Sequence, residues 1–426
     1  MSSNKTYLIV FLSLFLFLGC SVNKQPSIEE KYFEEEDEHI VFALEYEQMK
    51  EYDKSISLYL KLFDKTNRYE YLTRALRLYT QAKNFQKIKE LASKNLDPNA
   101  KEYENILRIY VIALVNLKEY DGAYENAKVL LNVFNNSTNY EVMANVFYLQ
   151  KDYDNAVKHF ESAYVTNFSA KTLINLVNIL YSFLDKKEEA ISYLETHTRL
   201  YDDDLVVTYK LLSIYQEQKN IDGIISTLKR IYYKYKKEEN YASMMKTNDV
   251  LLNYLEKKDI NLAIEFLKSE NNNPEKLLSL YKQTNQIQKA LEIINDIYVK
   301  TGNIELLAQI AILEFEGAKD KKLVMKSVIK KFEDVLTVLD NHIYQNYLGY
   351  ILIDYDIDIE RGLDYVRQAL SKAPNNIAYI DSLAWGQYKL KKCKKAYINM
   401  KKVVDSVGLD DKEIKIHWKK IKECGK

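Results

Sequence analysis

A four-residue phrase returns along almost the whole chain, and its stride leaves few folds open. Tyr52-Asp53-Lys54-Ser55 comes back as Phe85-Gln86-Lys87-Ile88, as Tyr120-Asp121-Gly122-Ala123 and as Tyr153-Asp154-Asn155-Ala156. Its last position continues at Ala190, Ile224, Ala263, Ala290, Val328, Gly362 and Ala396. Successive positions are 33, 35, 33, 34, 34, 39, 27, 38, 34 and 34 residues apart. A fixed period of about 20–50 residues marks a stack of like units, each of which buries its apolar face only against its neighbours.

Each unit reads as two amphipathic helices. In the fourth, Tyr140, Met143, Ala144 and Phe147 share one face of a first helix (A), and Tyr153, Ala156, Phe160 and Ala163 one face of a second (B). Spacings of three and four put such residues on a single stripe. Ala144 and Ala156 sit where two helix axes approach to about 8–10 Å. The chain has only 10 Gly and 4 Pro in 426 residues, too few for the turns of a sandwich, a barrel or a doubly wound sheet. Pro98, Pro274 and Pro374 fall between units, so none breaks a helix. Lys plus Arg and Asp plus Glu both number 61, which speaks against a nucleic-acid binder.

The units resemble the tetratricopeptide (TPR) family, whose period is about 34 residues. The tenth, with Leu348-Gly349, Gly362, Val366, Ala369-Leu370 and Pro374, and the eleventh, with Leu383-Ala384, Ala396, Met400 and Val403, carry the family's residues well. Units two and five to nine are degenerate. The resemblance implies an all-α, right-handed superhelical solenoid of about eleven TPR-like helix pairs. A finer likeness covers the last 90 or so residues. Asp381-Ser382-Leu383-Ala384-Trp385-Gly386-Gln387-Tyr388 is similar to an Asp-Ser-Leu-Gly-Trp-x-x-Tyr signature of TPR lipoproteins in diderm bacterial envelopes. Tyr347-Leu348-Gly349-Tyr350 and Glu413-Ile414-Lys415-Ile416-His417 fit the same group. Such proteins act as adaptors, presenting substrates to a processing protease or assisting outer-membrane assembly.

The N-terminus agrees with that likeness. Tyr7 to Leu18 is almost wholly apolar, shorter than the roughly 20 residues a spanning helix needs and suited to a secretory signal. Phe17-Leu18-Gly19-Cys20 resembles a lipobox, with Phe17 in place of the usual Leu. The resemblance implies cleavage before Cys20 and its lipidation, palmitate included. Ser21 in place of Asp favours the outer membrane, facing the periplasm. We therefore expect a signal peptide over 1–19, a lipidated tether over 20–37, an N-terminal array over 38–270, a C-terminal array over 271–408 and a capping helix over 409–426. The boundary near 270 follows Glu270-Asn271-Asn272-Asn273-Pro274, which the intervals of 39 and 27 flank. The acidic run Glu34 to Glu38 complements a helix N-terminus.

Catalytic motifs are missing. There is no His-Glu-x-x-His, Gly-x-Ser-x-Gly or phosphate loop, and the five His (39, 159, 197, 342 and 417) lack ligand spacing. No cofactor or metal is expected. Glu161-Ser162 looks like the acid of helical lytic transglycosylases, but it sits on a solvent-facing helix with no apolar cleft to raise a carboxyl pKa. Cys393 and Cys424 are either bridged or two free thiols. The TPR resemblance places a partner on the helix A face, at Asn346, Tyr350, Asp381, Trp385, Tyr388 and Lys389 and at Glu141, Asn145 and Tyr148; Trp385 and Tyr388 equally suit packing between helices. Glu141 stands where carboxylate-clamping TPRs carry Lys. The expectation is a non-enzymatic, periplasm-facing outer-membrane lipoprotein that binds protein partners and no nucleic acid. Its rivals are a component of a motility or secretion machine and a cell-wall lytic enzyme.

Overall fold

A computed structural model describes residues 30–424. The signal peptide, Cys20 and the tether as far as residue 29 lie outside them. The described residues form 23 α-helices and no strand. They divide into two compact units, one ending at Leu251 and one starting at Leu252.

The first unit holds α1 (Glu36–Gln48), α2 (Tyr52–Thr66), α3 (Tyr69–Gln81), α4 (Phe85–Lys94), α5 (Tyr103–Asn116), α6 (Tyr120–Val133), α7 (Ser137–Leu149), α8 (Tyr153–Asn167), α9 (Ala170–Ser182), α10 (Lys187–Leu200), α11 (Leu205–Glu217) and α12 (Ile221–Lys237). The division falls inside α13 (Tyr241–Lys258). The second unit continues with α14 (Ile260–Glu270), α15 (Pro274–Gln283), α16 (Ile287–Thr301), α17 (Ile304–Gly317), α18 (Lys321–Leu336), α19 (His342–Asp354), α20 (Ile359–Lys372), α21 (Ile377–Lys389), α22 (Cys393–Val407) and α23 (Lys412–Glu423). Within each unit the helices form TPR-like pairs. Most consecutive helices pack together, and alternate A helices also touch, as α3 with α5, α5 with α7 and α19 with α21.

The recurring phrase marks one place in every repeat. Ten of its eleven end positions are the fourth residue of a B helix, and all eleven are buried. Val328 is the exception, being the eighth residue of α18. The equivalent residue is Val324, one turn earlier, which packs against the same core cluster. The stride then runs 34 residues from Ala290 to Val324 and 38 to Gly362. The intervals of 39 and 27 reflect helix length. α13 has 18 residues, whereas α14 and α15 have 11 and 10. Glu270 to Pro274 is a turn within the second unit. Asn271 closes α14 in the left-handed region, Asn273 caps α15 through Lys276 N, and Pro274 takes the first helical position.

The turns between A and B helices explain how the chain manages with so little glycine. Lys50, Lys83, Lys118, Lys151, Lys219, Asn285 and Lys391 each adopt φ of 54 to 65° two residues before a B helix starts. The next amide reaches back five residues, as Asp152 N does to Phe147 O at 2.9 Å. This is the helix-closing motif in which glycine is usual. Here Lys or Asn stands in its place.

Small residues set the pair spacing. Ala144 on α7 and Ala156 on α8 are fully buried. In α19 and α20 the approach is closer still. A Cβ on Gly349 would lie 2.7 Å from Gly362 O, and one on Gly362 would lie 2.8 Å from Gly349 O. At the start of the described chain, Lys31 N donates to Thr66 O at 2.8 Å, and Phe33 packs on the core formed by α1 to α3. Glu36 accepts from Arg68 at 2.6 Å and from Tyr71. Residues 31–37, expected as tether, are thus docked on the first repeats.

Candidate partner-binding grooves

The A helices α19 and α21 and the terminal helix α23 enclose an open groove of about 420 Å³ in the second unit. Asn346 and Tyr350 come from α19, Asp381 and Ser382 from α21, and Glu413 and Ile414 from α23. Asn346, Tyr350 and Asp381 are three of the residues expected on a binding face, and the fold does bring them together.

A hydrogen-bonded cluster forms one end of the groove. Asp381 is buried, and both its carboxylate oxygens lie 3.1 Å from His417 Nδ1. His417 is itself 3 % exposed. Its Nε2 is 3.9 Å from Glu413 Oε1, and Glu413 accepts a hydrogen bond from the Tyr350 hydroxyl. Burial, reinforced by that bond and by the charges of Asp354 and Asp381, pushes the Tyr350 phenol far above the ordinary tyrosine range. Tyr350 therefore stays a neutral donor. Asp381, Glu413 and His417 each offer one ligand atom within 4.8 Å of the others, which would suit a metal ion. Asp381 is engaged with His417 Nδ1, and one oxygen of Glu413 with Tyr350. The spacing of histidines along the sequence gave no hint of this cluster, because Asp381 and His417 are 36 residues apart. The signal was the three matched segments near the C-terminus: Asp381–Tyr388 contributes Asp381, Tyr347–Tyr350 contributes Tyr350, and Glu413–His417 contributes both Glu413 and His417.

Trp385 requires a correction. It is not a surface anchor. The side chain is 3 % exposed, and its Nε1 donates to Asp354 Oδ1 at 2.9 Å. The indole stacks on His417, with ring centroids 4.0 Å apart, and on Tyr388, at 4.9 Å. The ammonium groups of Lys420 and Lys389 lie 5.2 and 5.4 Å from its centroid. Lys389 is also held by Asp356 at 2.8 Å and by Asp354 O at 3.0 Å. Trp385, Tyr388 and Lys389 thus cement α21 to its neighbours. The physical reason is α23, which lays His417 on the indole face that an uncapped last repeat would leave open.

Cys393, the first residue of α22, and Cys424, at the end of α23, are joined by a disulfide, with S–S 1.94 Å and Cα atoms 5.5 Å apart.

In the first unit, Asn145 and Tyr148 on α7 line a smaller recess of about 140 Å³ with Asn175, Asn178 and Phe183. Tyr148 meets Phe183 edge-on at 5.7 Å, and Phe183 stacks on Tyr153 at 4.6 Å. Glu141 does not line the recess; it accepts a hydrogen bond from Thr172 on α9. Glu161 accepts one from Tyr193 at 2.6 Å and lines neither groove. Among the described residues no helix is long and apolar enough to cross a membrane.

No family model matches the sequence, and no curated protein matches it. Solved structures do. The APC/C hetero-tetramer Cut9-Hcn1 is 13% identical over 91% of this chain and 96% of that one, with a TM-score of 0.33. Naa15/Naa10 bound to HypK-THB is 14% identical over 89% of this chain and 64% of that one, with a TM-score of 0.29. The TPR2AB-domain:pHSP90 complex of yeast Sti1 is 16% identical over 67% of this chain and 98% of that one, with a TM-score of 0.25.

Proposed function

We propose that this chain is a non-enzymatic scaffold that holds a partner polypeptide in the groove between α19, α21 and α23. The observation that carries the reading is the groove itself. It is an open channel of about 420 Å³ with apolar walls at Ile377 and Ile414 and polar groups from three helices. Its shape and lining suit a partner's side chains. Hydrogen bonds from His417 to Asp381 and from Tyr350 to Glu413 fix the shape of its polar lining.

We further propose that the chain is lipidated at Cys20 and displayed on the periplasmic face of the outer membrane, where it serves as a protease adaptor or assembly factor. The support is the lipobox-like Phe17-Leu18-Gly19-Cys20 with Ser21. Two acyl signals would anchor it stably, since each buried methylene contributes about 0.8 kcal/mol.

Ala378 is exposed and lines the groove, so Ala378→Trp fills it without entering the core. Crosslinking of partners to the wild-type chain in intact envelopes, lost in Ala378→Trp at unchanged helicity, is the expected result. Equal capture by both sinks the groove as the binding site. Acyl labelling and membrane fractionation of wild type and Cys20→Ala test the anchor; a chain that takes no label, or that bands with the inner membrane, removes the placement.

A further inference from the structure

We propose that the Cys393–Cys424 disulfide is a redox latch, which holds α23 in place as a wall of the groove and as the cover over Trp385. α23 is weakly held by packing. Of its twelve residues only His417 and Ile421 are buried, whereas α21 buries six of thirteen. Among the described residues it packs mainly against α21 and α22. Yet it supplies Glu413 and Ile414, and its N-cap Asp411, to the groove and His417 to the indole stack. The disulfide pins its far end, closing a loop of 31 residues. Cutting that link returns chain entropy to the released segment.

The surroundings of Cys393 favour reduction. The residue opens α22, whose first turn has no acidic side chain. Lys391, Lys392, Lys394 and Lys395 flank it in sequence, with Lys392 paired to Glu360 at 3.5 Å. A helix N-terminus and nearby lysines stabilise a thiolate, and a stabilised reduced form makes a disulfide easier to open. Both cysteines are half-buried, so a reductant can reach them. The reductant is a dithiol. One of its thiolates attacks a sulfur of the bridge, forming a mixed disulfide and releasing the other cysteine as a thiolate, which takes up a proton. Its second thiol then displaces the remaining cysteine. Two electrons and two protons pass to the pair, and the dithiol leaves as a disulfide.

The molecule carries its own probe, because its 2 tryptophans, Trp385 and Trp418, both belong to this end. The experiment follows the full chain with dithiothreitol titration, thiol counting by mass, acrylamide quenching of tryptophan and hydrogen exchange. Without reductant no thiol should label at Cys393 or Cys424. After reduction, exchange over 412–423 should quicken at least about tenfold, quenching should rise, and α19 and α21 should keep their protection. Cys424→Ser should behave like the reduced chain whether or not dithiol is present; Cys393→Ser repeats the test if that variant fails to fold. Two thiols labelled before any reductant, or identical exchange and quenching in both redox states, would overturn the latch. Only the consequence for docking rests on the scaffold reading. Release of α23 with undiminished partner capture supports the latch and sinks the groove instead.

Discussion

The α7–α8 repeat and the last repeat with its terminal helix reach the same helix-pair geometry by different means. α7 and α8 have neighbours on both sides, α6 and α9. Met143, Ala144, Val146, Ala156, Val157, Phe160 and Ala163 are all buried between them and their neighbours. Nothing covalent is needed. α21 and α22 are covered by α23, which holds to them with two buried side chains, an Asp381–His417 pair, a stacked indole and a disulfide. The lesson is that a linear stack solves its interior by apolar burial but must solve its end residue by residue.

Ala156→Glu puts an unpaired charge between two packed helices, at a cost on the order of 3–5 kcal/mol. Because neighbouring repeats share that surface, α6 to α9 should lose helicity together by circular dichroism and hydrogen exchange. Unchanged melting would mean that the interior does not depend on close packing. A smaller effect is expected of Gly362→Ala. The added methyl would press on Gly349 O and must push α19 from α20, costing about 1–3 kcal/mol by denaturant titration. A neutral result would show that this pair tolerates the wider spacing of its alanine counterpart.

Electrostatics sharpens the picture of the interior. Glu104 on α5 accepts from Asn136 at 2.8 Å, from Asn139 on α7 at 2.9 Å and from Arg108. Burial pushes its carboxyl up, but the two amides and Arg108 outweigh that and hold it below the ordinary 4.5. Its folded pKa is depressed, so its contribution is present above that ordinary value and is lost as pH falls through the folded one. Glu104→Gln should therefore melt lower than wild type at pH 7, with the gap closing as pH drops below 4.5. A gap independent of pH would assign the loss to shape, not charge. The smallest expected change is a gain. Lys151 sits at φ 65°, where a side chain is strained, and Lys151→Gly should raise stability by about 0.5–1 kcal/mol in thermal melts.

Much of the fold was legible because helix periodicity and repeat stride are local properties. The phrase ending at Ser55, Ala156 or Ala396 marks the fourth residue of a B helix at ten of its eleven positions. The slip to Val328 arose because residues four apart share one helix face, so a stripe fixes the face and not the turn. The division inside α13 was not legible; the sequence pointed instead to the turn at 270–274, which is well capped and sits within one unit. The candidate groove was half legible. The family pattern named Asn346, Tyr350 and Asp381, which line it, but cast Trp385 as equally suited to the surface and to packing.

The succession of helix pairs follows from the sequence, because apolar spacing, small residues at the crossings and a steady stride act over a few turns of chain. Which polar and aromatic groups line the groove and which are buried was set by contacts between distant helices. That choice turns on α23 folding back over α21, where burial against a distant helix makes Trp385 core and Tyr350 groove, and no local rule contains that contact.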